Sequence, residues 1–284
     1  MGLVNASPSA ELDRESFRAI SELAYAECGL TLAKEKTTMI QSRLRHRLRA
    51  LGLKEFSQYS AYVRSDDGRQ ERRHLISALT TNVSHFFREA HHLDYLSSAF
   101  FPRFCKSNDI TPLRVWSAGC SKGQEALSIA MNMLENHPQC ADADFRILAT
   151  DIDPNVVRFA QHGCYPERMT KGLNPELRKK YFDLTAIDNG EPSFTANSRI
   201  RDLIRYNELN LLSNWPIKTK FDAIFCRNVV IYFDTVTQDK LWPRFRAAMQ
   251  PDGVLFLGHS ERIAEPERFG FKCVAPTTYR PLST

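Results

Sequence analysis

Glycine residues follow the first β-type run in the second half of the chain. The run from Leu113 to Ser117 leads into Ala118-Gly119-Cys120-Ser121-Lys122-Gly123, and a helical pattern starts at Gln124. A strand, a glycine-containing turn and a helix in this order allow a nucleotide-type ligand to approach the backbone closely. A glycine turn alone is structural about as often as it is functional, so further residues must decide what it binds.

Acidic side chains near this loop narrow the choice of ligand. The chain has no G-x-x-x-x-G-K-[ST] segment, which argues against a triphosphate cradle. Glu125 would repel a phosphate but suits a ligand that carries an ammonium group. Asp151 ends the second β-type run about 30 residues beyond the loop, where a carboxylate can accept ribose hydroxyls. Asp153 is interpreted as the cap of the helix that follows Pro154. These residues favour an adenosyl amino acid over a dinucleotide.

Polar side chains also follow the β-type run from Phe221 to Cys226. Asn228 and Tyr232 come after this run, and open α/β sheets bind their ligands at the carboxyl ends of strands. Both are therefore candidate site residues. For Tyr232 an equal alternative is a buried tyrosine whose hydroxyl satisfies a backbone carbonyl.

Short β-type runs alternate with helical stretches after Pro112, which predicts an α/β fold with a mostly parallel sheet. The predicted strands are 113–117, 145–150, 204–209, 221–226 and 254–257, and the predicted helices are 124–135, 155–161 and 236–249. The gap from Cys164 to Arg205 is about 40 residues, too long for an ordinary connection, and predicts an inserted subdomain. Within it we expect a helix from Pro175 to Phe182 and a hairpin at Asn189-Gly190.

Apolar residues at spacings of three and four between Glu11 and Leu79 predict a small helical domain. Between Lys34 and Lys54 this region carries seven basic residues. The apolar residues of the basic helix fall within a stripe of about 80°, which should pack inward and leave the arginines on both flanks free. The candidate substrate-binding residues are Arg43, Arg47 and Arg49. A merely solvated charged face is the commoner fate of such a run and is the alternative.

Bulk properties exclude several classes of protein. A length of 284 residues suggests two domains. The apolar runs are far shorter than the roughly 20 residues of a membrane span, and the N-terminus resembles no secretory signal. Seven scattered cysteines without a C-x-x-C pair indicate a cytoplasmic location, and a net charge of +5 is too mild for a typical nucleic-acid binder. His85, His91 and His92 lack acidic or cysteine partners at ligand spacing, so we expect no metal. The mild net charge and the short apolar runs predict no nucleic-acid partner and no membrane insertion.

Five segments of the chain occur in a recognisable order. They are Leu79–Glu89 (LTTNVSHFFRE), Val115–Ala118 (VWSA), Ala149–Asp153 (ATDID), Ile224–Asp234 (IFCRNVVIYFD) and Gly258–Glu261 (GHSE). Together they closely resemble the CheR family of chemotaxis receptor methyltransferases. The resemblance extends from Phe17 to Tyr279, and five matched segments are far more specific than one glycine loop.

The resemblance implies a Rossmann-like, S-adenosylmethionine-dependent methyltransferase domain with a small inserted antiparallel β-subdomain, preceded by an all-α N-terminal domain. It implies a helical, receptor-recognising domain at 1–78, a linker with cofactor contacts at 79–110 and a methyltransferase domain at 111–284. The β-subdomain is expected at 164–205.

The same resemblance assigns site residues. The implied cofactor-binding residues are Asn82, Ser84, Arg88, Glu125, Asp151, Asn210, Leu211, Arg227 and Asn228. The catalytic candidates are Arg88, whose guanidinium can hold a carboxylate in bidentate geometry, and Tyr232. Ser84 stands where the family usually has threonine, and it keeps the hydroxyl. The run Gln124-Glu125-Ala126-Leu127 replaces Glu-Glu-Pro-Tyr and keeps the second glutamate.

The implied reaction moves a methyl group from S-adenosylmethionine to glutamate side chains of methyl-accepting chemotaxis receptors, giving methyl esters and S-adenosylhomocysteine. The expected partner is the cytoplasmic helical bundle of a receptor, and binding of a receptor tail peptide by the β-subdomain stays open. The alternatives are a methyltransferase of the same fold with another substrate, or a non-catalytic cofactor-sensing module. Arg88, Asn228 and Tyr232 are all present, so the sequence gives no sign of a dead site.

Overall fold

The computed structural model describes residues 11–103, 112–142, 144–188 and 190–282. The chain divides into two compact units. One contains the residues up to Thr81 together with Tyr232–Asp234, and the other contains Asn82–Ile231 and the residues from Thr235 onward. The predicted boundaries at 78 and 110 stay predictions.

Residues 11–81 of the first unit form four α-helices and a short 3-10 helix, in agreement with the helical domain that the apolar spacing predicts. The α-helices are α1 (Arg14–Cys28), α2 (Thr37–Ala50), α3 (Phe56–Arg64) and α4 (Arg69–Leu79). Asp13 begins α1 because its carboxylate accepts the Ser16 N–H at 2.8 Å, and Gly29 ends it in the left-handed conformation at φ 70°. Helix α1 packs against α3, and α2 packs against α4. The all-α domain is confirmed.

The basic helix α2 buries the apolar face that the sequence predicts. The residues of this face that lie in the core are Ile40, Leu44 and Leu48. Arg43 also points into the unit, where Nη1 donates to the carbonyl oxygens of Leu79 at 3.1 Å and Thr80 at 2.9 Å. These carbonyls end α4, so Arg43 satisfies acceptors that the helix itself leaves open.

Arg47 is held by an ion pair inside the same unit. Its Nε and Nη2 donate to the two carboxylate oxygens of Glu71 at 2.8 and 2.6 Å, and Tyr59 donates its hydroxyl to Glu71 at 3.0 Å. The expectation that the arginines on both flanks of α2 are free is therefore wrong for Arg43 and Arg47. Arg49 is exposed, so it remains available to a partner.

The second unit contains a sheet, a small additional sheet and the helices around them. Its strands are β1 (Leu113–Ala118), β2 (Phe145–Asp151), β3 (Cys164–Pro166), β4 (Phe182–Asp188), β5 (Glu191–Ala196), β6 (Ile204–Glu208), β7 (Phe221–Cys226), β8 (Met249–Leu257), β9 (Phe271–Ala275) and β10 (Thr278–Pro281). Its α-helices are α5 (Ala90–Asp94), α6 (Gln124–Asn136), α7 (Pro154–His162), α8 (Glu167–Thr170), α9 (Pro175–Tyr181), α10 (Ser198–Arg201) and α11 (Thr235–Ala248).

The main sheet has seven strands in the order β6-β2-β1-β7-β8-β10-β9. The first five run parallel to one another, and β10 is antiparallel to both of its neighbours. Strands β1 and β7 are almost entirely buried, which explains why most of their residues are apolar. The carboxyl ends of the five parallel strands meet at one edge of the sheet, where the predicted site residues follow β6, β2, β1 and β7.

The predicted insertion forms a three-stranded antiparallel sheet in the order β3-β5-β4. Strands β4 and β5 make the expected hairpin, although Asn189 at its turn lies outside the described residues. Helix α9 begins at Pro175, where Asn174 caps it by accepting the Glu176 N–H at 2.8 Å. The β-subdomain is therefore confirmed as part of the fold.

The last part of the sheet differs from the prediction. Strand β8 starts at Met249 rather than Val254, and its first half contains Pro251-Asp252-Gly253, a turn-like composition that hides a strand. The register against β7 is irregular in this half. Strands β9 and β10 were not predicted, since they are short and lie between turns. Within the described ranges, no helix is long and apolar enough to cross a membrane.

Candidate functional site

The glycine loop after β1 is shaped by the protein's own packing. Gly119 and Gly123 have φ angles of 96° and 89°, which side-chain-bearing residues rarely adopt. A Cβ atom on Gly119 would lie 2.2 Å from Cγ2 of Val229, and one on Gly123 would lie 2.9 Å from the hydroxyl of Tyr206. Both glycines are thus required by the fold, whatever ligand the loop binds.

Asp151 lies at the carboxyl end of β2 and is held by this loop. Its Oδ2 accepts the N–H of Ser121 at 2.8 Å, and its Oδ1 accepts the N–H of Asp153 at 3.0 Å. Burial raises the pKa of Asp151 to about 6, although both hydrogen bonds oppose the shift. Each carboxylate oxygen keeps a second lone pair, so Asp151 can still accept hydroxyl groups of a ligand.

Asn82 is joined to the same loop. Its Nδ2 donates to Asp153 at 2.8 Å, and its carbonyl oxygen accepts the hydroxyl of Ser121 at 3.1 Å. The other carboxylate oxygen of Asp153 accepts the N–H of Asn155 at 2.9 Å, which confirms the predicted cap of α7. The structure therefore brings Asn82 next to the loop residues that hold Asp151.

Arg227 follows β7 and lies between two carboxylates. Its Nη1 is 3.3 Å from Glu125 and its Nε is 3.4 Å from Glu89, and its side chain is only 3% exposed. Ser117 also donates its hydroxyl to Glu125 at 2.6 Å. Burial raises the pKa of Glu125 against the opposing charge of Arg227 and the hydrogen bond from Ser117. A positive charge is thus enclosed between two acidic groups at the start of α6.

Glu89 is a site residue that the sequence reasoning did not assign. Its Oε1 accepts from Nδ1 of His259 at 2.9 Å, and its backbone is left-handed at φ 51°. Burial acts to raise the pKa of Glu89, but the hydrogen bonds from His259 and the charge of Arg227 outweigh it and leave the pKa below its ordinary value. Glu89 is the last residue of the segment Leu79–Glu89, which resembles the CheR family, so this resemblance could have identified it.

Arg88 is only partly engaged. Its Nη1 donates to the carbonyl oxygen of Val83 at 3.1 Å, its Nε lies 3.9 Å from Glu89, and its side chain is 27% exposed. The backbone carbonyl of Arg88 accepts from Nη2 of Arg227. Within the described residues no hydrogen bond engages Nη2 of Arg88, so this donor can reach a ligand. Ser84 lies in the same segment, and its carbonyl oxygen is 3.5 Å from the amide of Gln124.

The loop after β7 continues with Asn228, which is left-handed at φ 59°. Its N–H donates to Oε2 of Glu261 at 2.8 Å. Glu261 is a second residue that the sequence reasoning left without a role, although it stands in the quoted segment Gly258–Glu261. Asn228 is half-buried and directly follows Arg227, so the two predicted residues occupy one turn.

Asn210 and Leu211 follow β6, the neighbour of β2. The Leu209 N–H donates to the carbonyl oxygen of Asp151 at 2.9 Å, which fixes this segment beside the end of β2. Asn210 accepts the N–H of Leu212 through its side chain at 2.9 Å, and Leu211 is buried. The structure thus brings all nine predicted cofactor residues to one edge of the sheet.

Tyr232 belongs to the other compact unit. There its carbonyl oxygen accepts the N–H of Thr31 at 2.9 Å, and the ammonium of Lys36 lies 5.8 Å from its ring centre. Tyr232 is half-buried rather than enclosed, which does not match the alternative of a buried tyrosine. Its catalytic role stays a prediction, as do the roles of the arginines on α2.

The donor set at the sheet edge matches the chemistry of an adenosyl amino acid. An ammonium group needs a carboxylate such as Glu125, a carboxylate needs a guanidinium such as Arg88, and ribose hydroxyls need acceptors such as Asp151. Each polar requirement of the zwitterionic ligand therefore has a side chain of the right charge.

Comparisons with known proteins agree with this chemistry. The SAM binding domain of CheR methyltransferase matches residues 82–279, and the all-alpha domain of CheR methyltransferase matches residues 15–80. A Rhizobium etli protein named "Probable chemotaxis protein methyltransferase" is 42% identical over 91% of this chain and 96% of its own length. The chemotaxis protein methyltransferase of Escherichia coli K12 is 38% identical over 89% of this chain and 86% of its own. The chain belongs to the CheR family of methyltransferases that act in chemotaxis with S-adenosylmethionine as cofactor.

Proposed function

We propose that this enzyme methylates the side-chain carboxylates of glutamates on chemotaxis receptors, producing glutamate methyl esters. The names of its relatives place methylation in chemotaxis, and the acceptor is argued from the side chains around Arg88. S-adenosylmethionine supplies an activated methyl group when it is bound. A glutamate has a reference pKa of about 4.3, so at neutral pH its carboxylate is already a nucleophile and needs no general base.

The observation that carries the proposal is that the carboxylates around Arg88 are already committed to other partners. Glu89 accepts from His259, and Glu125 accepts from Ser117 and faces Arg227. The hydrogen bonds from His259 and the charge of Arg227 outweigh burial and hold the pKa of Glu89 below its ordinary value, so this neighbour of Arg88 is a poor proton acceptor for a neutral substrate. An acceptor that arrives already ionised suits this site better than an alcohol or amine.

Arg88 is proposed to hold the acceptor carboxylate or the carboxylate of the cofactor. A guanidinium fixes a carboxylate through two parallel N–H bonds, and it stays protonated at every relevant pH, so Arg88 orients charge and moves no proton. Glu125 compensates the ammonium of the cofactor, and Asp151 accepts its ribose hydroxyls. Alignment of the reacting groups and fixed charge are the main sources of rate in such a site.

Recognition of the receptor is proposed to involve α2. Arg43 and Arg47 hold the helical unit together, which leaves the exposed Arg49 as the residue of the three that is best placed to contact an acidic receptor helix. Charges of this kind set the encounter rate and the register more than the final affinity.

The test incubates the enzyme with methyl-labelled S-adenosylmethionine and membranes that contain chemotaxis receptors. We expect label on the receptors that is released by mild base, because esters hydrolyse there and methylated amines do not. Arg88→Ala should remove most of this label while the protein stays folded. Base-stable label, or near-normal labelling by Arg88→Ala, would contradict the proposal.

A further inference from the structure

Glu261 is a buried carboxylate with an unusual set of partners. Its Oε2 accepts the N–H of Asn228 at 2.8 Å and the N–H of Gly258 at 2.6 Å, and its Oε1 accepts the N–H of Ile231 at 3.1 Å. The residue is 4% exposed. Both oxygens are thus used to hold the backbone of two loops, one after β7 and one after β8.

We infer that Glu261 is a positioning residue that fixes the loop after β7 in the conformation in which Arg227 and Asn228 meet the cofactor. This inference rests on the proposed assignment of Arg227 and Asn228 to the cofactor site. Asn228 has a left-handed backbone, at φ 59°, which asparagine adopts more readily than most residues but which is still less favourable than a right-handed one unless its surroundings hold it. Hydrogen bonds at Asn228 and Ile231 hold the loop on both sides of the strained turn.

Gly258 shows how closely the parts of this clamp fit. A Cβ atom at this position would lie 2.6 Å from Nδ2 of Asn228, 2.8 Å from its backbone nitrogen and 2.8 Å from Oε2 of Glu261. The backbone of Gly258 therefore fills the space between the carboxylate and the strained residue. Any side chain here would push Asn228 and Glu261 apart.

Burial raises the pKa of Glu261, while the hydrogen bonds from Gly258, Asn228 and Ile231 oppose the shift. The ionised form is the one that can accept all of these bonds. An amide side chain keeps one acceptor oxygen and turns the other end into a donor, which would face a backbone N–H. Glu261→Gln should therefore release one side of the loop without changing the size of the side chain.

Asp222 provides a matched control on the same strand. It is also a buried carboxyl whose pKa burial raises, but it lies at the opposite end of β7 and its Oδ2 accepts a single N–H, that of Arg114, at 2.8 Å. Asp222→Asn keeps an oxygen for this bond. It therefore tests the loss of a buried negative charge in the sheet without touching the loop.

The experiment measures S-adenosylhomocysteine affinity by calorimetry and backbone amide exchange, at a temperature at which each variant is folded. We expect Glu261→Gln and Gly258→Ala to bind about tenfold more weakly, the order of effect of one lost hydrogen bond in a buried site. The amides of Asn228 and Ile231 should exchange faster in both variants. Asp222→Asn should bind like the parent.

Asn228→Gly separates this inference from the site assignment, because glycine keeps the left-handed backbone and removes the amide side chain. If Asn228→Gly binds like the parent, the assignment of Asn228 to the cofactor site fails. If it weakens binding but Glu261→Gln and Gly258→Ala do not, the role of Glu261 fails. An equal loss of affinity in Asp222→Asn would also contradict the role of Glu261. If Glu261→Gln does not fold, the result for Gly258→Ala alone decides.

Discussion

Each compact unit contains an arginine that faces acidic side chains, and the two clusters differ in how many hydrogen bonds join the arginine to these side chains. In the helical unit Arg47 makes two hydrogen bonds to Glu71, which also accepts from Tyr59. In the sheet unit Arg227 lies 3.3 to 3.4 Å from Glu125 and Glu89. There Nε of Arg227 and Oε2 of Glu89 are buried without a hydrogen-bond partner among the described residues.

We expect the first cluster to stabilise its unit and the second to serve the proposed cofactor site. In the Arg47–Glu71 pair both carboxylate oxygens of Glu71 accept hydrogen bonds from Arg47, and removing either residue leaves the other without these bonds. In the cluster around Arg227, Nε of Arg227 and Oε2 of Glu89 face each other at 3.4 Å as an ion pair without a hydrogen bond, and the partly engaged Arg88 lies beside it. Buried polar atoms without hydrogen-bond partners are rare in folded proteins, and a bound ligand or water is one explanation for them.

The largest expected effect is on stability, when the Arg47–Glu71 pair is broken. Glu71→Ala should lower the free energy of unfolding of the helical unit by about 3 kcal/mol, because the buried hydroxyl of Tyr59 would lose its acceptor and the half-buried Arg47 would lose both of its hydrogen bonds. Chemical denaturation followed by circular dichroism measures this loss. S-adenosylhomocysteine affinity below the transition should be kept. A loss of affinity without a loss of stability would contradict the stabilising role of the Arg47–Glu71 pair.

Arg227→Met should weaken ligand binding, whereas Glu71→Ala should mainly lower stability. We expect S-adenosylhomocysteine affinity to fall by about 1.5 to 3 kcal/mol, the contribution of a hydrogen-bonded charged group. Without the cation, the pKa values of Glu89 and Glu125 rise, and a carboxyl with a raised pKa stabilises the folded state at low pH and loses that contribution as the pH rises. The stability gap between variant and parent should therefore be wider at pH 8 than at pH 5 in urea unfolding. A gap that narrows toward pH 8 would contradict this.

The titration of Asp151 tests whether its carboxylate binds the ligand. Its pKa is raised to about 6 by burial, so its carboxylate takes up a proton as the pH falls below this value and loses acceptor capacity. Parent affinity for S-adenosylhomocysteine should fall between pH 7 and pH 5, and Asp151→Ala should weaken binding at pH 7 by about 1 to 3 kcal/mol. Asp151→Asn should be less sensitive to pH. Calorimetry with equal pH dependence in parent and Asp151→Asn would remove Asp151 from the ligand site.

The smallest effect is expected from a charge change on the surface of α2, measured as the rate of receptor methylation. Arg49→Gln should lower receptor methylation at low salt by less than about tenfold, and added salt should reduce the difference, because exposed charges are screened. Arg18→Gln is a matched control, since Arg18 is an exposed arginine of the same unit and pairs with Glu22 on α1. Equal methylation rates for parent, Arg18→Gln and Arg49→Gln would indicate a solvated face.

Periodicity and strand ends were enough to predict the elements that position the site. The helices from Gln124 and Pro154 and the strands that end near Asp151 and Cys226 follow from local pattern, since each buries a regular apolar set. The strand that starts at Met249 was hidden by a turn-like composition, because its residues are ordered by pairing with a neighbouring strand rather than by local preference.

The partners of charged residues could not be predicted from the sequence. Arg43 and Arg47 sit at positions that a helical wheel leaves on the flanks of α2, yet both reach acceptors far away in the chain. Glu89 and Glu261 stand in recognisable segments, but their roles depend on loops brought together by the fold. Sequence spacing shows which face a residue occupies, and only the tertiary structure shows what the side chain meets.

The most direct measurement is tandem mass spectrometry of receptor peptides after reaction with the enzyme and S-adenosylmethionine. The proposed function predicts a mass increase of one CH2 group on glutamate side chains, absent from peptides treated with Arg88→Ala and lost after mild base. A methyl group on lysine, asparagine or a peptide terminus, or transfer to a small molecule with unmodified receptors, would contradict it.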